Sequence, residues 1–365
     1  MLLFIIMIIV LITIIFVFLN RPLFGKLPSG KRLEIIKHSS NYKNGSFQNI
    51  SKTPNLTEGV NYFSVIKDFF FGKKKRVQPS GIIPSVKTDL INVDINKNIL
   101  VWFGHSSYYM QVDGKRILVD PVFSGHASPF AFSIKAFKGS NIYTTDDMPD
   151  IDFLFITHDH WDHLDYETVK KLQPRVKQVI CGLGVGSHLE RWGYNENAII
   201  EKDWNETIDL NNGFKVFTVS ARHFSGRTFT RNKTLWLSFI LQTPAKKIFI
   251  GGDSGYDKHF VETGEKFGPF DLAILENGQY NLSWRYIHML PDEVLKAAKE
   301  LNAKRILPVH SGKFPLSLHE WDEPFKLIIE NNKKYNLDII TPMIGETVNL
   351  DDNDQTFSHW WEGVD

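Results

Sequence analysis

The chain opens on an apolar block and settles into shorter alternating runs. Residues 1–19 carry no charge, and Thr13 is their one polar side chain. About 20 such residues cross a bilayer core, so a transmembrane helix is expected there. A cleaved signal peptide is the rival reading, but the usual basic leading region is missing and no small-residue cleavage site follows. Residues 20–60 are polar, without clear period, and read as a juxtamembrane linker with room to lie along the globular domain. Next, Phe69, Phe70 and Phe71 precede Lys73, Lys74, Lys75 and Arg76. That stretch suits docking on anionic lipid. It suits equally a short helix packing Phe69 and Phe70 on the domain, with solvated lysines.

From residue 98 onward the pattern is that of a globular fold. Alternating or continuous apolar runs predict strands at 98–103, 107–112, 116–119, 153–156, 176–181, 214–219, 235–242, 246–250, 272–275 and 305–309. Asp113-Gly114 is a hairpin turn. Helical spacing predicts helices at 166–172, 185–192, 258–267, 291–301 and 323–335. Strands interleaved with helices give an α/β (α+β) fold, with sheets covered by helices. No internal repeat divides residues 61–350, which read as one domain ahead of a tail at 351–365.

Composition narrows the chemistry. The 42 basic and 41 acidic side chains leave a formal net charge of +1, no field for nucleic acid. Cys181 is the single cysteine, which excludes an intrachain disulfide and a thiolate cluster; at the end of an apolar run it reads as a buried, inert thiol. Arg21, Lys26, Lys31, Arg32 and Lys37 follow the apolar block. The positive-inside rule then predicts a single-pass membrane protein whose following domain is cytoplasmic.

The chemistry concentrates in Phe153-Leu-Phe-Ile-Thr-His158-Asp-His160-Trp-Asp162-His163-Leu-Asp165. An apolar strand ends abruptly in His-x-His-x-Asp-His, and imidazole with carboxylate is the ligand set of a borderline divalent metal. In extended backbone His158 and His160 project to one side, while Asp162 and His163, at the turn into the next helix, can reach a second ion. A polar loop with Asp162 or Asp165 as helix cap is the plainer reading; it suits Asp165 and leaves three histidines unexplained.

This motif resembles the signature of the metallo-β-lactamase fold hydrolases. The resemblance implies an αββα sandwich and further ligands downstream, matched here by His223, Asp253 and His310, each after a strand-like run. It implies that His158, His160 and His223 hold one zinc ion and Asp162, His163 and His310 a second, with Asp253 bridging; iron or manganese are alternatives. Two such dications would activate a shared water against an ester phosphorus or a lactone carbonyl. Trp102-Phe-Gly-His-Ser-Ser, Asp120-Pro-Val-Phe-Ser, Pro149-Asp-Ile-Asp, Gly252-Asp-Ser-Gly-Tyr256 and residues 281–291 are similar to the branch holding N-acylphosphatidylethanolamine-hydrolysing phospholipase D and its bacterial relatives. That similarity implies a phosphodiesterase acting on a phospholipid at the membrane. Residues 281–291 are also similar to the lactonate hydrolases, so a tethered lactonase or small-molecule phosphodiesterase is the alternative. The implied catalytic residues are Asp162, Asp253 and His288. His288 protonates a leaving alkoxide or holds phosphate, or else is simply buried against Trp284 and its neighbours. His105 reads as a strand-end residue that fixes backbone or a ligand. Tyr280 and Arg285 suit substrate contact and surface roles equally, and His188, His259, His319 and His359 read as surface residues.

Overall fold

The computed structural model describes residues 2–72 and 76–365. Lys73, Lys74, Lys75 and the side chain of Phe70, part of the lipid-docking expectation, lie outside the described residues. Helices are α1 Leu2–Leu19, α2 Gly30–Lys37, α3 Tyr62–Phe71, α4 Tyr166–Leu172, α5 Gly186–Arg191, α6 His259–Phe267, α7 Pro291–Glu300 and α8 Glu323–Asn332. Strands are β1 Tyr42–Lys43, β2 Ser46–Phe47, β3 Ile99–Trp102, β4 Tyr108–Val112, β5 Lys115–Val119, β6 Ile151–Ile156, β7 Val176–Gly182, β8 Ile199–Lys202, β9 Thr207–Asp209, β10 Lys215–Val219, β11 Ser238–Gln242, β12 Lys247–Ile250, β13 Leu272–Glu276, β14 Arg305–Val309, β15 Asp338–Ile339 and β16 Thr347–Asn349.

Two seven-stranded sheets face each other, in the orders β16-β3-β4-β5-β6-β7-β8 and β15-β14-β13-β12-β11-β10-β9. Each is antiparallel on one side and parallel on the other, the change falling at β5 and at β12. Strands buried on both faces read as continuous apolar runs, and β6 shows why. Phe153 and Phe155 point between the sheets, whereas Leu154 and Ile156 point outward beneath the helices. Phe155 meets Phe239 of the opposite sheet edge-on at 5.0 Å. Val169, Leu172 and Leu189 of α4 and α5 cover the outer face of the first sheet. Val294, Leu295 and Ile328 of α7 and α8 cover the second. The architecture is the expected αββα sandwich. Local signals start the helices that frame the site: Asp165 caps α4 by accepting from the Glu167 N–H at 3.2 Å, and Pro291 opens α7 where no N–H donor is needed.

The structure departs from the sequence expectations at both ends. Residues 20–60 contain α2 and the β1–β2 hairpin, and Phe24, Ile36 and Phe47 are buried. The polar character of that stretch hid three anchor residues spaced too widely to show a period. The segment read as a tail buries Trp360 and Trp361, with Trp360 4.9 Å from the Phe325 ring. Arg76 is not a free cation for lipid, since it binds Asp322 at 2.6 Å and Glu320 at 3.3 Å. Phe69 stacks on Trp284 at 6.1 Å, as the packed-helix reading expects. α1 buries none of its residues against the domain and is long and apolar enough to cross a membrane.

Candidate metal centre

The chemistry-bearing side chains gather at the carboxyl ends of β6 in one sheet and of β10, β12 and β14, which run in one direction, in the other. His158 and His160 follow β6, His223 follows β10, Asp253 follows β12 and His310 follows β14. Carboxyl ends of parallel strands open at one edge of a sheet, so residues far apart in sequence converge there. His158, His160, His223 and Asp253 form one group whose ligand atoms lie within 4.8 Å of one another, and His105, Asp162, His163 and His310 form a second. All seven residues read from sequence as ligands are therefore brought together.

Asp253 lies between the groups. Its Oδ2 is 3.7 Å from His158 Nε2 and 3.6 Å from His223 Nε2, and its Oδ1 is 3.2 Å from both His163 Nε2 and His310 Nδ1. His160 Nδ1 approaches His158 Nε2 at 2.9 Å and His223 Nε2 at 3.2 Å. Donors around a tetrahedral ion bound at about 2.0–2.1 Å stand roughly 3.3 Å apart, so these separations fit a shared cation. His163 Nε2 and Asp253 Oδ1 are buried without a hydrogen-bond partner among the described residues. Such atoms are costly unless something satisfies them, and a divalent cation would satisfy both.

Protonation follows the same geometry. Burial, then neighbouring imidazoles, holds His158 well below its usual pKa; burial likewise lowers His223 and His310, against the pull of Asp253. Neutral imidazole is the ligand form. Burial would raise Asp162 and Asp253, but the histidines around them hold both well below the carboxylate range.

Surrounding residues orient the first ones. Asp120 Oδ2 accepts from His163 Nδ1 at 2.8 Å and from the Thr157 hydroxyl at 2.6 Å, which leaves His163 Nε2 turned to the site. His105 Nε2 lies 2.8 Å from Asp162 Oδ2, so His105 orients a carboxylate of the second group. The Ile287 carbonyl accepts from His223 Nδ1 at 2.9 Å. His105, Asp120 and His310 all hold positive φ without being glycine, a strained state that surrounding structure must enforce.

Glu276, the last residue of β13, was not singled out from the sequence. It is buried, accepts from His288 Nδ1 at 2.7 Å and from the Met289 N–H at 2.6 Å, and shares a third ligand-type group with Asp253, His288 and His310. Burial raises the Glu276 carboxyl; burial opposes protonation of His288, and Glu276 overrides it to hold that imidazole above its usual value. A glutamate closing an apolar strand was the only available sign. Asp159, inside the motif, was also missed. Its carboxylate accepts from His188 at 3.1 Å, Thr234 at 2.9 Å and the Gly226 N–H at 2.7 Å.

Three surface expectations are corrected. His188 and His259 are buried, and His319 is half-buried with Nε2 accepting from the Gln279 N–H at 2.8 Å. Burial pushes His259 down to about 4. His359 is exposed, as expected. Tyr280 is buried and donates to Glu323 at 2.9 Å, while Arg285 pairs with Glu293 at 3.1 Å. Cys181 is buried, and burial raises its thiol well above the ordinary range.

A sandwich with a histidine- and aspartate-rich, metal-capable cluster at its strand ends defines a metal-dependent hydrolase of the metallo-β-lactamase fold. Residues 115–311 match the family described as Beta-lactamase superfamily domain, and the chain belongs to that superfamily. It is 33% identical over 318 residues to an uncharacterized protein of Mycobacterium tuberculosis, covering 86% of this chain and 85% of that one. It is 30% identical over 238 residues to N-acyl-phosphatidylethanolamine-hydrolyzing phospholipase D 1 of Caenorhabditis elegans, covering 60% of this chain and 65% of the other. In fold it is similar to Igni18, a metallo hydrolase from Ignicoccus hospitalis, with a TM-score of 0.54 at 20% identity over 69% of this chain and 98% of that one.

Proposed function

We propose that the protein is a membrane-anchored, dinuclear zinc phosphodiesterase of the phospholipase D type, acting on N-acylphosphatidylethanolamine-like lipids. The observation that carries the reading is Asp253, with one oxygen toward each histidine-rich group. In this reading His158, His160 and His223 hold one ion, Asp162, His163 and His310 the other, and Asp253 joins them. Bound there, two dications supply Lewis acidity toward a phosphoryl oxygen and a nucleophile from water at neutral pH.

The chain's own residues do the rest. Asp120 and His105 fix His163 and Asp162, so the donors are set before substrate arrives. His288 has its Nδ1–H tied to Glu276 and its ring 5.1 Å from the His223 ring and 5.2 Å from the His310 ring. From there it offers Nε2 to protonate the departing alkoxide. α1 supplies the anchor, and the cations that follow it favour a cytoplasmic catalytic domain.

The test uses full-length, zinc-loaded protein in vesicles carrying an N-acylated phosphatidylethanolamine. Release of phosphatidic acid and N-acylethanolamine is expected. Rapid lactone opening with no release from any phospholipid would replace this reading with the tethered lactonase.

A further inference from the structure

We propose that the last turn of α1 and two neighbouring loops, 126–135 and 226–232, form a lipid-embedded rim that holds the His158–His163 end of the sandwich against the bilayer. The proposal rests on the reading of α1 as a membrane span and goes beyond anchoring, because it fixes the orientation of the domain. At about 1.5 Å per residue α1 is about 27 Å long, close to a hydrocarbon core of about 30 Å.

Depth is set by contact. Phe18, in the last turn of α1, stacks on Phe130 with ring centroids 5.3 Å apart and planes 11° from parallel. A residue stacked on the end of a spanning helix shares its depth. Phe130 in turn meets Phe132 at 5.5 Å. Phe132 is 77% exposed and Phe229 91% exposed, and Phe229 shares a cleft of about 500 Å³ with Leu19 and Asn20 at the end of α1. Phenylalanines left bare in water at the foot of an apolar helix are ill-suited to an aqueous face and suited to an interface with lipid. Arg21, Lys26 and Arg231 are exposed beside them, at the level of anionic headgroups.

The same elements are bolted to the metal loop. The Arg227 guanidinium donates to Leu23 O at 2.9 Å, to Asp159 O at 2.9 Å and to Leu164 O at 2.7 Å, and lies 3.9 Å over the Trp161 ring. Phe24 packs edge-on against Trp161 at 5.4 Å. The Lys26 N–H donates to His188 Nδ1 at 3.0 Å, and His188 Nε2 donates to Asp159 at 3.1 Å. Gly25 makes that approach possible: its φ is +71°, and a Cβ there would fall 1.9 Å from His188 Nδ1. Phe224, at the root of the second loop, sits 4.4 Å from the His160 ring. The exit from the membrane and the His158–His163 loop are thus one packed unit.

Buried Cys181 is the only native cysteine, so a single introduced cysteine takes an environment-sensitive fluorophore cleanly. The probes are Phe132→Cys and Phe229→Cys on the rim, Val10→Cys within α1, and Ile95→Cys beside the Asp113 hairpin, at the strand ends opposite His158. The full chain is reconstituted in phosphatidylethanolamine–phosphatidylglycerol vesicles, with and without doxyl-labelled lipid. Expected are blue-shifted, doxyl-quenched emission at 10, 132 and 229 and water-like, unquenched emission at 95. A dry label at 10 with wet labels at 132 and 229 overturns the rim and leaves the anchor reading standing. A wet label at 10 overturns both. Dry labels at 132 and 229 that doxyl lipid does not quench would mean that a second copy of the chain covers this face, and would overturn the proposal.

Discussion

Glu276→Gln is the sharpest probe of the acid assigned to His288. Glutamine keeps the shape of the side chain and an acceptor for the Met289 N–H, and removes the charge 2.7 Å from His288 Nδ1. A hydrogen bond to a charged group contributes about 1.5–3 kcal/mol. At 1.36 kcal/mol per unit this is about one to two pH units. The sign follows from the opposing causes: burial lowers His288 and the Glu276 carboxylate raises it. Removing the carboxylate leaves burial in command, so the imidazolium is lost at lower pH. The alkaline limb of kcat/KM for a phospholipid substrate should move down by about one to two units, and turnover above it should fall about 10- to 150-fold. An activated aryl phosphodiester, whose leaving group needs no proton, should be slowed far less. Metal content, measured on the same samples, should be unchanged. An unmoved limb, equal slowing of both substrates, or loss of metal would refute the positioning role; the last would make Glu276 a ligand.

Elemental analysis of protein purified without chelator should find about two metal equivalents, and less than one under replete conditions would remove the dinuclear arrangement. Asp253→Asn should lose metal and turnover together while circular dichroism keeps the folded signature, because an amide lacks the charge that faces both groups; a metal-loaded variant with near-native turnover would take Asp253 out of the site. Deleting residues 353–365 strips Trp360 and Trp361 from the core. At 150–250 Å² per ring and about 25 cal/mol per Å², that is roughly 8–12 kcal/mol, comparable with the whole stability of a domain. The truncated chain should therefore be insoluble, and a soluble product with native circular dichroism would refute the burial argument. Deleting residues 1–20 should move the protein from the membrane to the soluble fraction in fractionation, and a deletion variant still resistant to carbonate wash would show a second anchor.

Much of the site was legible in sequence because its signals are local. β6, the His-x-His-x-Asp-His run and α4 lie within the single stretch Ile151 to Leu172, and apolar periodicity with residue chemistry needs no knowledge of the rest of the chain. The strand-end positions of His223, Asp253 and His310 followed once a family pattern was in view. What tertiary structure alone decided are the partnerships made across distance. Glu276 acquires meaning only beside His288, and Asp120 only beside His163, 43 residues away. His188 looks like a surface residue until the chain folds Asp159 and the Lys26 amide onto its two nitrogens. Residues 20–60 look like a linker because their anchors, Phe24, Ile36, Phe47 and Asn49, are scattered. Asn49 nevertheless donates to His223 O at 2.7 Å and accepts from the His223 N–H at 3.1 Å. A local pattern reports which face a residue prefers; which group fills the space opposite is set by the crossing of strands and loops distant in the chain, and the buried polar atoms at this site can be satisfied only there.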